Sequence, residues 1–218
     1  MQRYLRMVVL AAALAAPTGS LAMTPLGFEG GWKEQRFSLF SSNRYGFSAA
    51  RLTVRSEGAV SLVWRAVPEA LWPARRARWE WEVSAGVPAT DLTVKGGDDR
   101  NLAVYFVFMP EEAARAMGAR PNLRALLGAP EARVLVYVWG GDRARGAVLS
   151  SPYLDARGRT VVLRGPGTGR FAEAVDLAAD HARAFGGPPA ALVGLAVSAD
   201  SDDTASVIAA EMSAITFD

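Results

Sequence analysis

Residues 76–83 read RARWEWEV, and their side chains alternate without a break. Ala77, Trp79, Trp81 and Val83 fall on one side of an extended chain and Arg78, Glu80 and Glu82 on the other, because successive strand residues point to opposite faces. A helix would turn the two tryptophans about 200° apart and leave one of them wet. Trp79 and Trp81 therefore belong to the core face of a sheet whose opposite face carries charge. Working outward, residues 44–56, 59–67, 133–140, 160–165, 192–200 and 207–217 read as further strands, rich in Val, Thr and aromatics and bounded by Gly, Pro and Asp. Asn101 to Met109, NLAVYFVFM, is apolar on both faces, which predicts a mid-sheet strand covered on both sides. Two short helices are predicted. One opens at Pro110-Glu111-Glu112 and runs to Met117. The other covers Glu173 to Phe185, with Leu177, His181 and Phe185 on one stripe and Gly186-Gly187-Pro188-Pro189 ending it. Seven or eight strands and two short helices predict an all-β, jelly-roll-type β-sandwich, galactose-binding or concanavalin-like in kind.

Residues 1–22, MQRYLRMVVLAAALAAPTGSLA, combine Arg3 and Arg6 with an apolar run and a small-residue end at Ser20-Leu21-Ala22. That three-part layout predicts a secretory signal peptide cleaved after Ala22, a single domain over 23–218, and a periplasmic location with no membrane span after cleavage. Of the 24 basic residues, Arg3 and Arg6 leave with the leader, and none of the 22 acidic ones does, so the charges then balance. A balanced chain lacks the concentrated basic surface that nucleic acid needs, so nucleic acid is not expected as a partner. The absence of cysteine excludes thiol catalysis, thiolate metal sites and disulfides. The single histidine, His181, excludes a multi-histidine metal site, and on its helical stripe it reads as a packed residue rather than a base. There is no GxSxG, and Gly-rich GPGTG (165–169) has no following lysine for a phosphate loop.

Acidic loops punctuate this apolar framework at Asp91 with Asp98-Asp99, at Asp142, and at ADSDDTAS (199–206). Turn chemistry accounts for such residues by itself, since Asp side chains bond nearby backbone N–H groups. The run Lys95-Gly96-Gly97-Asp98-Asp99 also places adjacent carboxylates beside a cation, and three readings follow. Lys95 or Arg100 could neutralise the pair as structural ion pairs. Calcium could do so with Asp98, Asp200 and Asp202, and with Asp203 of the same second loop, although Asp200-x-Asp202-x-Thr204 lacks the glycine and distal glutamate of a calcium loop. Or Asp98 or Asp99 could work with Asp200 as catalytic carboxylates; neighbours on an extended chain point apart, so only one of Asp98 and Asp99 would face a given cleft.

TDLTVKGGDDRNLAVYFVF (90–108), VLVYVWG (134–140), SPY (151–153), FG (185–186) and GLAVSADSDDT (194–204), in that order, resemble the bacterial family known as domain of unknown function 3047. The likeness spans Trp79 to the C-terminus. It implies an exported, single-domain protein and brings no catalytic residues with it. From the residues themselves, the leading functional expectation is a module for a glycan or small-molecule ligand. Its candidate ligand-binding residues are Lys95, Asp98, Asp99, Tyr105, Tyr137, Trp139 and Asp200; Tyr137 and Trp139 share a strand face by their spacing of two. The alternatives are an envelope-polysaccharide hydrolase or lyase using paired carboxylates, and a structural or partner-binding envelope protein.

Overall fold

The structure, a computed structural model, describes residues 23–118 and 122–218. The leader read at residues 1–22 lies outside the described residues. In chain order the strands are β1 (Thr24–Leu26), β2 (Lys33–Arg36), β3 (Arg44–Phe47), β4 (Arg51–Glu57), β5 (Val60–Ala66), β6 (Arg76–Ala85) and β7 (Arg100–Met109). After two six-residue helices, α1 (Glu111–Ala116) and α2 (Leu123–Gly128), come β8 (Arg133–Trp139), β9 (Val148–Ser151), β10 (Asp155–Arg164) and β11 (Gly169–Asp176). Helix α3 (Leu177–Phe185) leads into β12 (Ala191–Asp200), β13 (Val207–Ser213) and β14 (Ile215–Phe217). No helix among the described residues is long and apolar enough to cross a membrane.

These strands form two seven-stranded sheets. The first runs β1-β14-β6-β13-β4-β3, with β11 also paired to β6; the second runs β2-β5-β12-β7-β8-β10-β9. Every pairing is antiparallel except that of β8 with β10. The fold is thus the jelly-roll-type β-sandwich that the alternating segments predict. β6 buries Ala77, Trp79, Trp81 and Val83 and turns Arg76, Arg78, Glu80 and Glu82 outward, as read from RARWEWEV. Its charged outer face is ordered by ion pairs, with Arg170 reaching Glu80, Glu82 and Glu211.

The core is an aromatic seam between the sheets. The Trp79 ring lies 6.0 Å from those of Phe106 and Tyr137, and the Trp81 ring 5.6 Å from that of Trp139. Trp139 also meets Phe171 at 5.1 Å. Truncating one such ring to alanine costs about 3–5 kcal/mol, so this seam dominates the packing energy. One carboxylate is buried beside it. Glu173, its side chain 1% exposed, accepts from Trp81 Nε1 (3.1 Å) and Arg164 Nε (2.7 Å) on Oε1 and from Arg145 Nη2 (3.1 Å) on Oε2.

The structure corrects several boundaries. Residues 173–176, read as the start of a helix, complete β11 and pair with β6 as far as Asp176 against Arg76. The helix starts only at Leu177, because Asp176 caps it by accepting from Ala179 N at 2.8 Å. It ends at Gly186, whose φ of 82° only glycine adopts without strain. His181 is packed as expected, its ring 5.3 Å from Phe108 and its Nδ1 bonded to Gly187 O at 2.7 Å. Residues 44–56 form a hairpin rather than one strand, and 207–217 split into β13 and β14. Among the described residues there are fourteen strands, not seven or eight, since short edges such as β2 (KEQR) carry no apolar pattern to read.

Glu173 furnishes a test of the core. Glu173→Ala leaves Trp81 Nε1 unpaired and removes the shared partner of two arginines, so urea unfolding should show a loss of about 3 kcal/mol. A loss below about 0.5 kcal/mol, the usual range for surface substitutions, would show that this buried network does not hold the sheets.

Candidate functional site

Side chains of the second sheet that do not face the core line a cleft of about 780 Å³ on its outer surface. On β12 they are Gly194, Ala196, Ser198 and Asp200, at the spacing of two that a strand dictates. β5 contributes Val60, Leu62 and Trp64, and β8 contributes Val136 and Val138. Helix α2 closes one end with Leu123, Leu126 and Leu127, while the loop before β7 and Tyr153 border the other.

Arg100 enters this cleft because β7 carries a bulge. Ser198 pairs with Ala103 but Asp200 pairs with Arg100, so three steps on β7 oppose two on β12. The extra residue reverses the alternation, putting Arg100 on the face of Tyr105. Asn101 turns away, where its Oδ1 accepts from Val87 N at 2.7 Å. Gly140, at φ 149°, makes the bulge possible: a Cβ there would lie 2.9 Å from the Arg100 Cβ.

The guanidinium of Arg100 is the hub. Its Nη1 donates to Asp98 O (2.8 Å) and Asp98 Oδ2 (2.9 Å) and lies 3.1 Å from Asp200 Oδ2. Its Nη2 donates to the Tyr105 hydroxyl at 3.0 Å, which is 3.1 Å from Ser198 Oγ. The Tyr153 hydroxyl donates to Asp98 Oδ1 at 2.8 Å, so both oxygens of Asp98 are engaged. Asp200 differs. Its side chain is only 9% exposed, and its Oδ1 is buried with no N–H or O–H donor, although the Asp202 carboxyl stands within hydrogen-bonding reach of the Asp200 carboxyl once one of the two is protonated.

Burial pushes the Asp200 carboxyl up to about 8; Arg100 opposes the rise, while Asp202 and Asp99 add to it. Burial by itself would lower the Arg100 pKa, but Tyr105, Asp200 and Asp98 together raise it. The two shifts have different causes: burial raises Asp200 against the pull of Arg100, whereas the neighbouring groups raise Arg100 against its own burial. Asp98 holds the guanidinium through two contacts. Burial and then Asp98 raise the Tyr153 hydroxyl to about 12, so it donates at neutral pH.

The sequence-predicted residues are thus divided. Asp98, Tyr105 and Asp200 meet in the cleft around Arg100. Asp99 points the opposite way, as neighbours on an extended chain do. Fully buried, it accepts from Thr204 N (2.7 Å) and Thr204 Oγ1 (2.6 Å) and ties the 199–206 loop down. Lys95 pairs with neither aspartate; its Nζ lies 5.5 Å from the centre of the Tyr153 ring. Tyr137 and Trp139 are not in the cleft. They face the first sheet within the aromatic seam, 0% and 1% exposed, and the Tyr137 hydroxyl donates to Asp180 Oδ2 at 2.7 Å. Nor do Asp98, Asp200 and Asp202 form an open carboxylate set, because Arg100 stands between Asp98 and Asp200. Among the described residues, the trio of carboxylates with oxygens mutually within 4.8 Å is Asp99, Asp202 and Asp203. Trp64, Tyr153, Ser198 and the leucines of α2 are site residues that the sequence reading missed. The period-two series Gly194-Ala196-Ser198-Asp200 was the signal that could have pointed to Ser198.

The model of the family described as "Protein of unknown function (DUF3047)" matches residues 30–216, and the chain belongs to that family. No curated protein matches it. Among solved structures, a xyloglucanase domain of NopAA from Sinorhizobium fredii, in complex with cellobiose, is similar at 6% identity and TM-score 0.44, over 91% of this chain and 98% of that one. The family 11 xylanase from Neocallimastix patriciarum aligns at 11% identity and TM-score 0.37, over 90% and 96% of the two chains. The K3 cleaved adhesin domain of Lys-gingipain from Porphyromonas gingivalis aligns at 11% and 0.36, over 90% and 99%. At these scores the likenesses carry no weight for what the cleft binds.

The proton held by Asp200 should be visible in stability. Its folded pKa of about 8 lies above the unfolded value near 3.9, so the native state binds the extra proton between them. That contribution is complete below about pH 4 and is lost as pH rises through about 8. Urea midpoints from pH 4.5 to 8.5 should fall more steeply for the wild type than for Asp200→Asn; parallel profiles would contradict a protonated Asp200.

Proposed function

We propose that this member of the DUF3047 family is a ligand-binding module that takes a glycan-type ligand in the cleft on the outer face of its second sheet. The observation that carries the reading is Asp200 Oδ1, a buried oxygen that no N–H or O–H donor meets while Asp200 and its neighbour Asp202 are ionised, at the polar end of a cleft of about 780 Å³. A buried polar atom left unpaired is costly, and a ligand hydroxyl would satisfy it. Around it the Tyr105 hydroxyl, Ser198 Oγ and the Tyr153 hydroxyl can donate or accept, the mixture that reads sugar hydroxyls. With the leader read at residues 1–22, the ligand would be met in the periplasm.

Binding is favoured over bond cleavage by the state of Asp98. A glycosidase needs two working carboxyl groups. Asp200, with its raised pKa, suits an acid, but Asp98 has one oxygen on Arg100 and the other on the Tyr153 hydroxyl.

Thermal unfolding of the purified protein with methyl glycosides and neutral oligosaccharides tests this. A ligand of the folded state at a hundredfold excess over its Kd adds about 2.7 kcal/mol of stability, a rise of several degrees in the midpoint. Asp200→Asn should weaken the response about tenfold, the size of one hydrogen bond to a buried group. If no sugar moves the midpoint, or if Asp200→Asn responds as the wild type does, the glycan reading is wrong.

A further inference from the structure

The cleft is charged and hydroxyl-rich at one end and mainly aliphatic toward the other, where Arg124, Arg157 and Thr160 are its polar lining residues. Along β12 its lining passes from Asp200 to Ser198, then Ala196 and Gly194, a run of roughly 20 Å at strand spacing. β7 repeats the gradient, with Arg100 and Tyr105 at the polar end and Val107 beyond. The far half is walled by Val107, Val136, Leu123, Leu126 and Leu127, and the missing side chain of Gly194 keeps it open: a Cβ there would meet Val107 Cβ at 3.3 Å and Leu126 Cδ1 at 3.5 Å. Arg157, which borders this half, spends its guanidinium on the carbonyls of Leu127 and Ala129 at the end of α2. A second or third sugar would therefore bury hydroxyls against aliphatic walls, whereas methylenes gain there.

Building on the glycan reading, we infer that the ligand is a single-chain amphiphile, with a sugar head at the Asp200 pole and a hydrocarbon tail laid along the valine and leucine walls toward α2. The length of the cleft and its gradient from charged to mainly aliphatic walls fit that shape. Asp200 and the hydroxyls around it select the head, and the tail supplies affinity by area without direction.

The test is a titration of the purified protein with methyl, butyl, hexyl and octyl β-glucosides, each below its micelle threshold, with 1-octanol as a tail-only probe. Affinity should rise about fourfold per added methylene until the chain fills the far half. Leu127→Asp, which places a charge in that wall at a half-buried position, should flatten the series. Equal binding of methyl and octyl glucosides would overturn the tail while leaving the glycan reading standing. Binding of 1-octanol as tight as that of octyl glucoside, unaffected by Asp200→Asn, would overturn the sugar head and the glycan reading with it. Binding by none of the probes would overturn both.

Discussion

One guanidinium between two carboxylates organises the outer face of the second sheet. Arg100 draws Asp98, Asp200 and Tyr105 together, and through Asp98 it fixes Tyr153, which belongs to the turn after β9. Three separate stretches of chain, 98–105, Tyr153 and 198–200, converge on that cation. Its burial would be prohibitive without the two acids, and the acids would not stay buried together without it. Of the two acids Asp200 is the less well served: burial raises its pKa, and its Oδ1 meets no N–H or O–H donor. A structural clamp has thereby become a chemically open position.

The two faces of the second sheet divide the work. The inner face supplies Phe106, Tyr137 and Trp139 to the seam with Trp79 and Trp81, where interlocking rings set the sheets in one relative position. The outer face carries smaller side chains on β12, so the sheet is hollowed where the inner face is filled. α2 is a six-residue helix with Asn122 capping its first turn by accepting from Ala125 N at 2.7 Å. Too short to be stable by itself, it is held by the leucines it lends to the end of the cleft. The shape of the site therefore depends on the same apolar contacts that secure its wall.

What the sequence discloses depends on whether a residue's position is decided locally. Trp79 and Trp81 alternate with charges, so their face is settled within eight residues, and the opposite directions of Asp98 and Asp99 follow from extension alone. Tyr137 and Trp139 lie in a strand apolar on both sides, VLVYVW, and nothing within it says which side meets the other sheet; the partners β7 and β10 decide that. Arg100 reaches the cleft through a bulge, a mismatch between β7 and β12 that neither segment records alone. Glu173 sits in a stretch, EAVD, whose composition suits a helix, and it became a strand because the whole length of β6 was there to pair with it. The fold class was legible because many segments voted for it. The site was only half legible, because it is made by register.

The central strand of the first sheet has a further consequence. All the sheet partners of β6 lie downstream, in β11, β13 and β14, between residues 169 and 217. β1 likewise waits for β14, pairing Thr24 with Phe217. Emerging from the ribosome, β6 thus stays without a strand partner until β11 and then β13 and β14 have been made, and such long-range closure is slow. The topology lets the first sheet close only once its last strand, β14, has been made.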